Sequence, residues 1–259
     1  MDMSIASSGV FASTNYGSNS ELEDEHYSTL LEPRSINIID PIDPIDHIDI
    51  VLLANTIVTA SPNFMRVYGL HHNVFCGDEL FIGKGATFSV KKVPLKHIEN
   101  PSGFVVIKSP LLRNMPAKSA CIDRQKQLDS VYVELRTLSH PVSRVQENIV
   151  RLLGITWEAD LYNDQRMWPS LILEFAEFGT LKDLLHLYHC ESKFLPVSTK
   201  LELCTDVARG LDVLHDLGII HGDVKLENVL VFKGQERDYV AKVADFGCAV
   251  YELSIKKQR

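Results

Sequence analysis

The hydrophobic pattern of the chain changes period once, near residue 176, and that change bounds the fold. Before it stand five short runs rich in branched and aromatic residues: Leu80-Phe-Ile-Gly83, Phe88-Ser-Val90, Phe104-Val-Val-Ile107, Leu153-Gly-Ile-Thr-Trp157 and Leu171-Ile-Leu-Glu-Phe175. Glycine, proline or charged residues punctuate them, which is the pattern of strands. Between the third and fourth runs, Leu128, Val131, Leu135 and Leu138 recur at spacings of three and four, so a single helix is expected there. After residue 176 helices take over. Thr180-Leu-Lys-Asp183 and Thr199-Lys-Leu-Glu202 both have capping-box spacing and are expected to open helices. The second is expected to run from Thr199 to Leu217, with Leu201, Cys204, Ala208, Leu211 and Leu214 on its apolar face and Gly218 as its C-terminal cap. Two short strands, Asn228–Phe232 and Val240–Val243, complete the pattern. A strand-rich unit with one inserted helix, followed by a helical unit, defines an α+β fold class.

Charge is distributed unevenly. The formal charge of −8 lies within residues 1–47, which hold nine acids against Arg34, and the remainder is neutral. A neutral body offers no basic stripe, so no nucleic-acid partner is expected. Residues 1–47 read as a disordered acidic tail, because Pro41 and Pro44 break the Ile-Asp-Pro run and the acids oppose a packed core. Residues 48–77 read as an N-terminal extension that packs on the strand-rich unit, and the His71-His72 pair within it as a surface pair. The most apolar stretch, Ile50–Ala60, is shorter than the roughly 20 residues a membrane span needs. Met1–Val10 lacks the basic start and apolar core of a secretory signal. The five cysteines, Cys76, Cys121, Cys190, Cys204 and Cys248, form no paired spacing and suit a reducing compartment. An intracellular, cytoplasmic location is the expectation.

Four short motifs carry chemistry. In Ile82-Gly-Lys-Gly-Ala-Thr-Phe-Ser-Val90, Gly83 and Gly85 permit close backbone approach to a phosphate, although two glycines in a hairpin also make an ordinary turn. Lys108 ends the strand Phe104–Ile107 as a cation on a half-buried element, where a snorkelling side chain is the alternative. Glu134 lies on the helix face that also presents Leu138 and could hold Lys108 against a nucleotide's phosphates, or be solvated. In His221-Gly-Asp-Val-Lys-Leu-Glu-Asn228, Asp223 is a candidate base or hydroxyl-orienting group and Lys225 a nearby cation. Asn228 offers the amide oxygen that Mg²⁺ accepts; a polar loop with turn caps is the alternative. Asp245-Phe-Gly247 places a carboxylate at a strand end beside a buried aromatic and a hinge glycine, which suits a metal ligand.

Together, in this order and in these contexts, the motifs resemble the signature set of the eukaryotic protein kinases over roughly residues 80–250. Leu138-Ser-His-Pro followed by Asn148–Gly154 is similar to the family's junction between the helix it calls αC and the next strand. The segment Leu173–Leu181 is similar to its adenine-binding hinge. The resemblance implies a small β-rich lobe with one helix and the first part of a helical lobe, the kinase domain spanning residues 78–259. It implies ATP and Mg²⁺ as cofactors. Ile82, Gly83, Gly85, Val90, Val106, Lys108, Glu174, Ala176 and Leu230 would line the nucleotide site, and Asn228 and Asp245 would hold the metal. Lys108 with Glu134, and Asp223 with Lys225, would be the catalytic groups. Leu138, His221 and Phe246 would stack between the lobes. The Asp223-x-Lys225 spacing resembles the serine/threonine rather than the tyrosine pattern, and the hinge resembles the tyrosine-kinase-like branch of that group.

The chain departs from the family pattern in places. Phe88 stands at the third glycine position of the loop, with Thr87 at its tip, and is expected to stiffen the turn. Val106 stands where alanine is usual and is expected to narrow the adenine pocket slightly. Gly222 replaces the arginine before the catalytic aspartate, so control through a phosphorylated activation loop is not expected. Twelve residues follow Gly247, without an Ala-Pro-Glu-like anchor or further helices, so the domain is expected to be incomplete at its C-terminus. The Thr199–Leu217 helix is then expected to expose much of its apolar face. Two functional readings follow: a Ser/Thr protein kinase acting on an unidentified protein, or a truncated pseudokinase, a nucleotide-binding interaction module without catalysis. A metal-dependent small-molecule phosphotransferase shares the Asp and Asn ligands but fits Glu134 and the hinge less well.

Overall fold

The structure is a computed structural model that describes residues 47–60, 65–68, 80–85, 88–94, 103–111, 120–160 and 163–252. The acidic tail before His47, Thr87, Cys76 and the His71-His72 pair lie outside the described residues.

The first unit is a six-stranded sheet of β1 (Met65–Tyr68), β2 (Leu80–Lys84), β3 (Phe88–Pro94), β4 (Phe104–Pro110), β5 (Leu152–Asp160) and β6 (Asn163–Glu174). Their spatial order is β1-β5-β6-β4-β3-β2. All neighbours are antiparallel except β1 and β5, where Met65 lies opposite Gly154 in parallel register. The five runs expected from the sequence are all strands, and β1 is an additional one. Its four residues are too few for a period to register. The edge strand β2 exposes Leu80, Phe81 and Ile82, whereas the interior strand β4 buries Val105 and Ile107 fully.

Two helices pack with this sheet. Helix α1 (His47–Ala60) buries Ile50, Ala54 and Ile57, which recur at spacings of four and three and so share one face. It contacts β5, β6 and helix α2 (Ala120–Ser139). Helix α2 is the helix expected from Leu128–Leu138, and it buries all four residues of that pattern. Helix α3 (Pro141–Val145) follows; proline at its first position needs no hydrogen-bond partner there, and His140 Nδ1 accepts from the Val142 N–H at 3.3 Å.

The second unit begins with helix α4 (Leu181–Cys190), which opens on the expected capping box: Thr180 Oγ1 accepts from Asp183 N at 3.1 Å, and Asp183 Oδ2 from Thr180 N at 2.9 Å. Helix α5 (Val197–Asp216) corrects the sequence reading twice. It starts at Val197 behind Pro196, with no side-chain cap, so Thr199-Lys-Leu-Glu202 is not a capping box. Its buried residues are Leu203, Asp206, Gly210 and Leu214, while Leu201, Cys204 and Ala208 are exposed. Two features select that face. Asp206 takes hydrogen bonds from Arg237 Nη2 at 2.8 Å and from Ala241 N at 2.9 Å. Gly210 admits the Asn148 carbonyl to 2.5 Å from where a Cβ would stand. Leu201, Cys204 and Ala208, most of the face expected to be apolar, therefore stand open. Gly218 follows with φ +68°, the left-handed cap expected of it.

The remaining elements are β7 (Ile219–Ile220), a 3₁₀ turn (Leu226–Asn228), β8 (Val229–Lys233), β9 (Tyr239–Val243) and β10 (Val250–Tyr251). β8 pairs with β9, and β10 with β7. The main core joins both units: Leu138, Leu152, Leu173, Leu214, Val243 and Phe246 belong to one buried cluster. Among the described residues no helix is long and apolar enough to cross a membrane.

Candidate active site

Lys108 is the centre of the site. It lies on β4 opposite Val90 of β3 and Leu171 of β6, deep enough in the sheet that its ammonium is nearly inaccessible. Nζ donates to Glu134 Oε1 at 2.8 Å and to Asp245 Oδ1 at 2.8 Å. Glu134 reaches it from helix α2 and is fully buried; Asp245 reaches it from beyond β9 and is about half exposed. Burial alone would lower the Lys108 pKa, but the charges of Glu134 and Asp245 outweigh it and hold the ammonium above its usual value. Burial pushes the Glu134 carboxyl up, against the pull of Lys108. A buried cation held between two carboxylates is weak evidence for a stabilising role, because desolvation offsets the attraction.

Asp245 holds its position at a cost, with φ 63° in the left-handed region. The residues before it are tied down: Val243 N donates to Asn148 O at 2.9 Å, and Ala244 N to Asn228 O at 2.9 Å. Phe246 after it is fully buried, with its ring centroid 5.1 Å from that of His221. His221 in turn fixes the loop that follows. Its Nε2 lies 2.9 Å from the Ala244 carbonyl and must donate to it, so Nδ1 is left to accept from Asp223 N at 3.3 Å. Leu138 is buried in the same core cluster as Phe246, the ring that lies against His221.

Asp223 Oδ2 receives Lys225 Nζ at 2.6 Å and Asn228 Nδ2 at 2.9 Å, and Asn228 Nδ2 also reaches the Asp223 carbonyl at 2.9 Å. The bond from Lys225 is the first cause holding the Asp223 carboxyl below the usual carboxylate range. Gly222, in between, has φ +78°, and a Cβ there would stand 2.3 Å from the Cys248 carbonyl oxygen. The fold itself therefore demands glycine where the family pattern has arginine.

The β2–β3 hairpin carries the glycines. Gly83 pairs with Val90, and Gly85 N donates to Phe88 O at 2.8 Å. Neither glycine is required by the fold: both lack the positive φ that would demand one, and a Cβ on Gly83 would meet nothing within 4 Å. Val106 and Leu230 are half-buried against the main core, Val90 is half-buried on β3, and Ala176 is buried after β6. The Glu174 carboxylate is committed elsewhere, to Lys242 Nζ at 2.8 Å and Arg151 N at 2.8 Å.

Asn228 and Asp245 supply oxygen donors suited to Mg²⁺. The Asn228 amide nitrogen is engaged by Asp223, which turns its carbonyl oxygen free to accept, and Asp245 is half exposed. Among the described residues there is no group of three or more His, Cys, Asp and Glu that could hold a metal by itself. The sequence reading missed Phe88, whose ring covers the Lys108 ammonium at 4.3 Å. Only knowledge of strand register could have placed it there.

Residues 79–257 match the protein kinase domain family, and the chain belongs to it. It is 31% identical over 210 residues to the calmodulin-binding receptor-like cytoplasmic kinase 2 of Arabidopsis thaliana, covering 74% of this chain and 44% of that one. It is 32% identical over 178 residues to an EPD1-interacting receptor-like cytoplasmic serine/threonine-protein kinase of Nicotiana benthamiana, covering 65% and 32%. Similarity to the human receptor-interacting serine/threonine-protein kinase 1 is 30% over 133 residues, covering 51% and 17%. The chain thus spans less than half the length of each of these relatives.

Proposed function

We propose that this chain binds ATP with Mg²⁺ and transfers the γ-phosphoryl group to serine or threonine hydroxyls of a protein substrate. The observation that carries the reading is the Lys108 ammonium, buried and doubly paired with Glu134 and Asp245 on the strand next to the glycine hairpin. Lys108 balances the buried Glu134 carboxylate in the resting fold, and the half-exposed Asp245 is the partner that an anionic ligand would replace or join. The backbone of Gly83 and Gly85 approaches the phosphates, while Lys108, oriented by Glu134, neutralises them. The adenine lies between Ile82, Val90 and Val106 on one side and Leu230 on the other, along the backbone of Glu174 and Ala176. Asn228 and Asp245 would hold Mg²⁺, which would neutralise charge on the phosphate oxygens. Asp223 orients the substrate hydroxyl and accepts its proton as the oxygen–phosphorus bond forms and the bond to the ADP oxygen breaks. Lys225, bonded to Asp223, lies where it can balance charge on the transferring group. Most of the rate enhancement in such a site comes from positioning and charge stabilisation. Relatives described as cytoplasmic kinases support a cytoplasmic setting for this activity.

Calorimetry of the full chain with Mg²⁺-ATP, beside Lys108→Ala, tests the reading. Saturable binding that needs Mg²⁺ and is lost in the variant is expected. A folded wild-type chain that binds no nucleotide would overturn it. Binding without phosphotransfer to any Ser/Thr peptide would leave a nucleotide-binding module in place of an enzyme.

A further inference from the structure

Lys108 has a third neighbour that the kinase reading does not use. An ammonium carries three hydrogens, and Glu134 and Asp245 take two of them. The remaining side of Nζ lies over the face of Phe88, 4.3 Å from the ring centroid. The strand register explains the meeting. Val90 lies opposite Lys108, and Phe88, two residues away on the same face of β3, is its diagonal neighbour, within reach for an aromatic and a long side chain.

The ring is itself anchored. Phe88 is 5% exposed and shares a buried cluster with Leu128, Val131 and Tyr132 of α2, Ile50 of α1 and Trp168 of β6. It therefore does something other than stiffen a turn tip. Phe88 fixes one flank of the ammonium to the same helix, α2, whose Glu134 fixes the other. A glycine at this position would leave that flank empty, and the Lys108 side chain, buried without it, would meet water or a void.

We propose that Phe88 is a positioning residue for the nucleotide site: its ring face seats the Lys108 ammonium and ties the glycine hairpin to α2. The proposal rests on the reading of Lys108 as the phosphate-binding cation. Seating a desolvated cation on a ring face is favourable enough that its loss should change affinity about tenfold. The leucine variant separates packing from charge, because it fills the cluster but offers no π face.

The experiment compares wild type, Phe88→Leu, Phe88→Tyr and a series carrying mono-, di- and trifluorinated phenylalanine at residue 88. Mg²⁺-ATP affinity is expected to fall about tenfold in Phe88→Leu while the melting temperature stays near wild type. It should be retained in Phe88→Tyr and should fall stepwise with each added fluorine, since fluorine drains the ring face without changing its packing greatly. Equal or tighter binding by Phe88→Leu, or a loss unrelated to fluorine number, would overturn the proposal. A second arm needs no nucleotide: acylation of Lys108 by a small activated ester, read by mass spectrometry. Faster acylation in Phe88→Leu than in Phe88→Tyr supports the seating even if wild type were to bind no ATP, and equal rates would sink it. Failure of the ATP reading is thereby distinguished from failure of this one.

Discussion

The Asp223–Lys225 pair shows how one contact biases the protonation of a carboxyl. Lys225 Nζ stands 2.6 Å from Asp223 Oδ2, and that bond is the first cause lowering the carboxyl below its ordinary value of 3.8. A depressed carboxyl stabilises the fold at pH above its unfolded value, and the contribution is lost as pH falls through the folded one. Both groups are open to water, so the effect is one of protonation state more than of stability. Carbon-detected NMR of the Asp223 carboxyl should show a midpoint below 3.8 in the wild type that rises towards that value in Lys225→Ala. An unmoved midpoint would remove Lys225 from any role in keeping Asp223 ionised. At this scale the candidate residues were legible only as a set, because each has an ordinary structural use and it was their order and contexts together that resembled the kinase signature. What escaped was partnership. The ring of Phe88 and the commitment of the Glu174 carboxylate to Lys242 and Arg151 depend on register and on packing between distant segments, which no local pattern encodes.

Elements were legible where their period was long enough to count. Helix α2, the strands around it and the capped start of α4 all follow from spacing and caps. Helix α5 shows the limit, because two apolar faces compete on it and the choice between them is made outside the helix. Leu201, Cys204 and Ala208 share one face by period, but the face that packs is the one carrying Gly210 and Asp206. Gly210 tests that account with a clear sign. In an isolated helix, glycine to alanine stabilises by about 1 kcal/mol. Here the added Cβ would stand 2.5 Å from the Asn148 carbonyl oxygen and 3.0 Å from Val243 Cγ2, and a backbone carbonyl has little room to yield. The clash also falls on the segment whose Asn148 carbonyl receives Val243 N, two residues before Asp245. Overpacking of this kind costs roughly 1–3 kcal/mol, so Gly210→Ala should lower the midpoint of urea unfolding. A rise in the midpoint would mean that α5 does not press on Asn148 as closely as drawn.

At the scale of the whole molecule, the question is what holds α2 against the sheet so that Glu134 can meet Lys108. One answer lies outside the kinase-family match, which begins at residue 79. Helix α1 precedes it and inserts a fully buried Ile50 into the cluster that contains Leu128, Val131 and Tyr132 of α2 and Phe88 of β3. The N-terminal helix, α2 and the strand after the hairpin glycines thus share one apolar contact region, so loosening one is expected to loosen the others. Ile50→Ala removes buried volume from that region and should destabilise the protein by about 2–5 kcal/mol. A general loss of stability would not distinguish this coupling from ordinary core damage, so a matched control is needed. Leu203 of α5 is 2% exposed but packs in a separate cluster with Leu184, Val229 and Val231. Leu203→Ala should cost a similar amount of stability. Hydrogen exchange would then separate them. Ile50→Ala should speed exchange across residues 128–138 and weaken Mg²⁺-ATP binding, whereas Leu203→Ala should leave α2 protected relative to its own global stability. Equal exchange of α2 in the two variants would show that α1 merely covers the domain. A selective effect of Ile50→Ala would make the N-terminal helix part of the machinery that positions the Lys108–Glu134 pair.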